Sequence, residues 1–411
     1  MYGSPKDVRY NLRLFFIDGM AYMPSLTLIS VATVIPFFLE RLSASTFQIG
    51  LAAALAGICA LITQPLFGSL ASRAKNTSRA FGQILLLQRL VFLAFIICIP
   101  FLSYNYALLI RMFLIFWGLF NLFVGSYGVF FPMILLTLIP PEKRGAIRGF
   151  GSAAGSVLSM GATALIPVVL YNISFPYNFT LIFLVGIIFL LIDAIVFLLM
   201  RDHGHLEPYK AMSVLNYIKS MPATIRDNPK FRAIILTCTL MIAANSLLPY
   251  YTLNAIRNYN ATESHLAILA VLAVISNAVG YAYFGLVVDR RGPIMAFAIA
   301  AGLILSAGIL ALVTDSLYLL FVAWVLASMG STAYFLSTSL LVGEVGAADK
   351  LPLYAGVINI ISMAFSSAIV LLLAPVLENV GFSVLFVTVA ICGGFSLIIN
   401  ISILKKPIKD N

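Results

Sequence analysis

Four ionisable side chains, Asp18, Arg89, Arg111 and Asp193, lie deep within long apolar stretches of the chain. A charge in hydrocarbon is costly, so each must either find a partner or handle an ion or a solute. Asp18 shares one helical face with Tyr22 and Ser25 at the i, i+4 and i+7 spacing. A carboxylate held there, partly out of water, is suited to loading and releasing a proton. At a rise of 1.5 Å per residue, Asp18 lies about 6 Å and Arg89 about 13 Å inside their spans, on the same side. The alternative to a proton site is therefore a fixed Asp18–Arg89 ion pair that orients two helices. Arg111 either attracts an anionic group or extends to the nearer surface. Asp193 reads as structural, with Arg89 as a partner.

Uncharged polar groups recur at helical spacing. Ser246, Tyr250 and Asn254 form one set, with Asn245 a further candidate beside it, and Asn277 with Tyr281 a second. Trp324, Ser328 and Ser331 form a third, and Asn359, Ser362 and Ser366 a fourth. Each set lines one helix face, where it either contacts a solute or holds helices together, at about 0.6 kcal/mol per contact on average. Gly149, Gly151, Gly155 and Gly161, interleaved with Ser152, Ser156 and Ser159, allow another helix to approach closely.

The elements that must position these residues are membrane helices. Of 411 residues, 62% are hydrophobic and 10% charged, with a mean hydropathy of +1.04; soluble domains run near roughly 25% charged. Apolar runs of about 20 residues, the length that crosses a hydrocarbon core, follow one another along the chain. Twelve are read: 14–39, 47–71, 80–102, 106–137, 149–171, 179–200, 231–255, 265–288, 293–313, 316–341, 351–376 and 381–404. They are too long, and too uniformly apolar, for barrel strands. The fold class is thus an all-α polytopic membrane protein.

The net charge of +10 follows topology and does not call for nucleic acid. With the N-terminus inside, loops on that side carry 21 Lys and Arg against 2, Arg41 and Arg257, outside. Both termini are therefore expected in the cytoplasm. Charged residues lead straight into a first span too long for a cleaved signal peptide. The four cysteines, Cys59, Cys98, Cys238 and Cys392, fall in apolar spans without paired or metal-binding spacing, so they read as packing residues.

One long polar interval, 201–230, separates residues 1–200 from 231–411, six spans on each side. Met212, Leu215, Ile218 and Met221 within it share a face of a potential surface helix, or belong to a solvated linker. The loop between spans eight and nine reads Gly285-Leu-Val-Val-Asp289-Arg290-Arg291-Gly292. A divergent copy, Gly68-Ser-Leu-Ala-Ser72-Arg73, joins spans two and three. A second correspondence relates Glu142-Lys143 and Gly149 to Asp349-Lys350 and Gly356.

In these loops the chain resembles the major facilitator superfamily, over nearly its whole length. Gly285, Asp289, Arg290 and Gly292 match that family's inner-loop signature, whereas Ser72 and Lys75 depart from it in the first half. Pro140 to Gly145, including Glu142 and Arg144, resembles the family's loop after the fourth helix. The resemblance implies twelve helices in two six-helix bundles with pseudo-twofold symmetry around a midplane cavity. It also implies that the first, fourth, seventh and tenth helices line that cavity. Asp289 would then face a helix N-terminus, and Arg290 and Arg291 would meet carbonyls or Glu142 across an inner gate. Gly68 and Arg73, lacking the acid, would make a weaker mirror contact.

The expected function is secondary active transport of a small organic solute, coupled to protons and needing no cofactor. The chain has no Walker A sequence for ATP coupling and no H-E-x-x-H metal site, and His203 and His205 lie in a loop, so it is not expected to be an enzyme. Export of amphipathic compounds fits the apolar, aromatic spans; the alternatives are an uptake permease for a sugar or small metabolite, or a transporter-like sensor or scaffold. A monomer in the plasma membrane, with lipid, protons and the solute as partners, is the expected state.

Overall fold

Lipid offers a backbone N–H or C=O no hydrogen-bond partner, so an apolar chain that crosses it repeatedly must satisfy those groups within helices. The computed structural model describes residues 4–202, 225–226, 228–343 and 351–404, and among them all the regular structure is helical. In chain order the helices are α1 (Pro5–Leu28), α2 (Val34–Arg41), α3 (Thr46–Arg73), α4 (Thr77–Leu102), α5 (Tyr106–Asn121), α6 (Val124–Leu138), α7 (Pro141–Asn172) and α8 (Tyr177–Leu199). They continue as α9 (Pro229–Ser246), α10 (Leu248–Tyr259), α11 (Glu263–Arg291), α12 (Pro293–Val313), α13 (Leu317–Gly343), α14 (Leu351–Val380) and α15 (Ser383–Leu404).

Three of the expected spans are not single helices. The run 14–39 breaks between α1 and α2, 106–137 breaks at Leu122–Phe123 between α5 and α6, and 231–255 breaks at Leu247 between α9 and α10. Hydropathy is blind to such breaks because the few polar residues near them, such as Ser30 and Thr33, sit among apolar neighbours. Eleven segments among the described residues are long and apolar enough to cross a membrane. The first crossing is outside that number: α1 opens with Lys6, Asp7, Arg9 and Arg13, and its apolar course is divided with the short α2. Counted with this broken pair, the crossings number the expected twelve.

Four helix starts are capped by side chains. Ser4 and Asp7 form a reciprocal capping box at α1, and Asn76, Asn105 and Asn228 cap α4, α5 and α9 with their side chains. The proposed surface helix around 212–221 lies outside the described residues.

Contacts divide the chain into two compact units. The first comprises Met1–Ala44, Ile58–Met212 and Glu263–Val274, and the second Ser45–Gly57, Ser213–Thr262 and Ile275–Asn411. In the first, Phe38 meets Phe95, Phe113, Phe179 and Phe183, joining α2, α4, α5 and α8. A neighbouring core of Phe15, Phe81, Phe130 and Phe197 joins α1, α4, α6 and α8. In the second, α12 packs on α13 and α15, and α9 on α14 and α15. Large apolar residues such as Leu66, Phe101, Leu312 and Leu372 stay exposed, as a lipid solvent permits.

The glycine-rich α7 packs on α1, as its small residues suggested. A Cβ at Gly19 would stand 2.7 Å from the Gly151 carbonyl carbon, and one at Gly155 would stand 2.3 Å from the Gly19 carbonyl oxygen. Backbone faces backbone, so neither side can yield. Gly19→Val should therefore cost about 1–3 kcal/mol of overpacking and lower the melting temperature in detergent, whereas Gly161→Val, with no neighbour within 4 Å, should leave it nearly unchanged.

Candidate functional site

The α1–α7 crossing fixes the residue beside it, Asp18. Asp18 is 9% exposed, Ser25 is buried, and Tyr22 between them is half-buried. Ser25 turns its hydroxyl back to the Tyr22 carbonyl at 2.6 Å, one turn before α1 ends. The base of α1 is anchored where α8 ends: Asn11 bonds both the N–H and the C=O of Arg201 at 2.9 and 3.0 Å, and Arg201 pairs with Asp7 at 2.9 Å. The three expected groups of this face are thus held on one fixed helix.

Arg89 is the centre of a second cluster. Its guanidinium, 1% exposed, pairs with the fully buried Asp193 at 2.6 Å. Its Nε donates to the Leu190 carbonyl at 3.3 Å, and it also bonds Gln88 and Tyr127. Tyr127 completes the ring by donating to the same Asp193 oxygen at 3.2 Å. The ion pair of Arg89 is therefore made with Asp193 on α8, as the structural reading of Asp193 allowed. Asp193 Oδ1 is buried with no hydrogen-bond partner among the described atoms.

This cluster also serves the break between α5 and α6. Gln88 donates to the Phe120 carbonyl at 2.8 Å, and Asn121 to the Trp117 carbonyl at 2.8 Å, both in the last turns of α5. Tyr127 lies just past the break, its ring 6.0 Å from that of Tyr22. Sequence spacing missed Gln88 and Tyr127, because neither is charged and their partners are remote in the chain. Arg111 lies on an exposed face of α5.

In the second unit the expected polar sets separate. Ser246 bonds the Ala243 carbonyl at 2.7 Å, next to the break at Leu247, and Asn245 beside it is half-buried. The break divides the set that was read as one continuous face. Tyr250 is buried, and its hydroxyl donates to the Val370 carbonyl of α14 at 2.9 Å. Asn277 accepts from Thr332 at 3.2 Å, and Thr332 also donates to the Ser328 carbonyl at 3.2 Å, so α11 and α13 meet there. Tyr281 is exposed, Asn359 half-buried, and Ser362 shares a hydrogen bond with Thr239 at 3.1 Å. Trp324 is buried with its indole N–H unpartnered among the described atoms.

The residues expected at an inner gate lie around the ends of α3, α7 and α11. Gly292 turns between α11 and α12 with φ 79°, a left-handed conformation that suits glycine. Gly285 has open space beside it, and Arg290 and Arg291 are exposed. The side chains of Arg73, Glu142, Arg144 and Asp289, like the surroundings of Gly68, lie outside the described residues, as do Asp349 and Lys350 entirely.

These features define a polytopic α-helical membrane protein with buried polar clusters at broken helices. No protein-family model and no curated protein sequence matches the chain. Solved structures do match. A mutant of the nucleoside transporter NupG aligns with 97% of this chain and 99% of its own at a TM-score of 0.71 and 11% identity. A bacterial homologue of the human lysosomal transporter Spinster aligns over 98% and 99% at 0.65 and 16% identity, in an inward-facing, unoccupied conformation. The human organic anion transporter MFSD10 aligns over 97% and 99% at 0.64 and 14% identity. The chain has the major facilitator fold, as its loop signatures led one to expect.

A buried charge left without its partner is costly, about 3–5 kcal/mol. Asp193→Ala should therefore lower thermal stability sharply, whereas combining it with Arg89→Met should recover much of the loss. Thermal unfolding of the two single variants and the double variant in detergent checks this; a double variant no better than Asp193→Ala would contradict it.

Proposed function

We propose that the protein is a secondary active transporter that carries a small organic solute by alternating access, with protons as the coupling ion. The observation that supports this most directly is the near-complete fold match to transporters, over 97% of this chain for NupG. In this reading residues 1–200 and 231–411 act as the two moving bundles, joined by 201–230. Both termini lie in the cytoplasm, in keeping with the basic loops, and the protein works as a monomer in the plasma membrane without a cofactor or an enzymatic step.

Asp18 is the proposed proton site. It is buried on the first crossing, near an aromatic pair, Tyr22 and Tyr127. Arg89, by contrast, is held by Asp193, Tyr127, Gln88 and the Leu190 carbonyl, which makes it an organiser of α4, α6 and α8. Candidate solute contacts are hydroxyl, amide and aromatic groups: Tyr22, Ser25, Asn245, Ser246, Asn277, Tyr281, Trp324, Ser328 and Asn359. Such groups suit a neutral or amphipathic solute, and export is the favoured direction. The named neighbours carry nucleosides and organic anions, so both classes belong in a ligand screen alongside amphipathic compounds.

The inner gate is proposed at Asp289, Arg290 and Glu142, with the weaker mirror at Gly68–Arg73. Asp289→Asn should raise the labelling rate of cysteines placed near those loops on the terminal side. An unchanged rate would remove the contact.

In proteoliposomes, Asp18→Asn should abolish transport driven by a proton gradient while solute exchange continues. Gradient-driven transport at the unaltered rate would take Asp18 out of the mechanism. The solute for that assay comes from thermal-shift screening of purified protein, since a ligand stabilises the state it binds; 100 times Kd of ligand is worth about 2.7 kcal/mol.

A further inference from the structure

The chain leaves α8 at Met200, whose extended backbone (φ −60°, ψ 139°) ends the helix, and the next two residues meet the starts of two other helices. Two asparagine amides grip consecutive peptide groups there. Asn11 of α1 accepts from the Arg201 N–H at 2.9 Å and donates to the Arg201 C=O at 3.0 Å, so its amide stands where a neighbouring peptide would. Asn76, the cap of α4, accepts from the Arg79 N–H at 2.8 Å and donates to the Asp202 C=O at 3.0 Å. The Asp202 carboxylate accepts from the Ser78 N–H at 3.1 Å, a negative group on the positive end of α4. The Ser78 hydroxyl closes the set by donating to Asn76 Oδ1 at 3.2 Å.

Burial decides which of these contacts matter. Asn11 and Ser78 are both 0% exposed, so their bonds are made out of water, where an orphaned peptide group is costly. Met200 is buried in the core that holds Leu14 of α1 and Phe81 of α4, which gives the two residues after it an apolar floor. Above that floor α4 approaches α8 closely, since a Cβ at Gly82 would stand 2.7 Å from the Leu198 nitrogen. The Arg201 side chain is a weaker hold. It pairs with Asp7 at 2.9 Å and lies 4.4 Å over the Tyr10 ring, but it is half-exposed, and exposed ion pairs contribute little.

We propose that Met200–Asp202 is a strap that couples the first turns of α1 to the first turns of α4, so that freeing either helix start loosens the other. The covalent geometry supplies the coupling. The Arg201 C=O held by Asn11 and the Asp202 N–H belong to one planar peptide, so a rotation that takes the carbonyl off Asn11 carries Asp202 away from Asn76 and Ser78. Two separate caps would have no such link. The strap does not depend on the transport reading, but it bears on it: α1 carries Asp18, and the turn that leads into Asn76 follows Arg73, so the proposed proton helix and the weaker gate copy share one tie.

The test uses the full chain in detergent and hydrogen exchange followed by mass spectrometry over residues 8–16 of α1 and 79–86 of α4. Asn11→Ala should make exchange about tenfold faster in the α4 stretch, although both of these Asn11 bonds go to Arg201. Asn76→Ser keeps an oxygen to cap α4 and removes the donor to the Asp202 C=O; it should make exchange about tenfold faster in the α1 stretch. Arg201→Ala removes the half-exposed ion pair and keeps both peptide groups, so it should change either stretch by less than about twofold. Changes confined to the substituted helix, in protein that keeps its melting profile, would overturn the strap and leave two independent caps. An effect of Arg201→Ala as large as that of Asn11→Ala would overturn it in favour of the ion pair. Should Asn11→Ala not fold, Asn76→Ser carries the comparison alone, because its helix cap is retained. None of these measurements needs a solute, so a failure of the transport assays leaves the strap standing.

Discussion

The structure depends first on the satisfaction of backbone groups where no water can reach them. A helix does this by itself except at its ends, and this chain places helix ends inside three of its crossings. Each break comes with side-chain bonds. Ser30 accepts from the Thr33 N–H at 3.2 Å between α1 and α2. Gln88, Asn121 and Ser126 bond the carbonyls of Phe120, Trp117 and Phe123 around the second break. Ser246 bonds the Ala243 carbonyl at the third. The breaks fall in the first, fourth and seventh crossings, three of the four that the resemblance assigns to the cavity wall. Irregular backbone at depth is tolerated where protein or a polar cavity surrounds it.

From this constraint follows the arrangement of charge. Gln88 is next to Arg89, so the residue that serves the broken α5 is tied to the buried ion pair with Asp193. The ion pair is expensive to bury and does not by itself argue for stability. Its value lies in geometry: one guanidinium bonds α8 twice, through Asp193 and the Leu190 carbonyl, and the start of α6 through Tyr127. Asp18 is carried on α1, a helix set by its glycine contacts with α7.

Small residues do a second kind of work. At the α1–α7 crossing and at the α12–α15 crossing, where a Cβ at Gly308 would stand 2.6 Å from the Ala390 nitrogen, they let backbones approach and lock helices together. On the first half of α3, Gly50 and Gly57 allow the same close approach to α10 and α14.

Much of the architecture was legible from composition, because in lipid the length of an apolar run is itself a structural statement. Helix positions, the unpaired cysteines within the helices, the tight role of the α7 glycines and the loop signatures of the fold all follow from one-dimensional patterns. Partner choice does not. The sequence offered Asp18 and Asp193 alike to Arg89, and helical spacing alone cannot say which neighbouring helix a face will meet. Nor could it place Tyr250, whose hydroxyl proves committed to the Val370 carbonyl, or show Glu378 capping a helix 332 residues away in sequence. The breaks in α1–α2, α5–α6 and α9–α10 were hidden for a related reason: the polar residues at them, Ser30, Thr33, Asn121 and Ser246 among them, are too few among apolar neighbours to interrupt a hydropathy run. Local chemistry therefore determined that this chain spans a bilayer many times, and tertiary structure decided which buried polar groups met, since that depends on distances between helices the sequence does not encode locally.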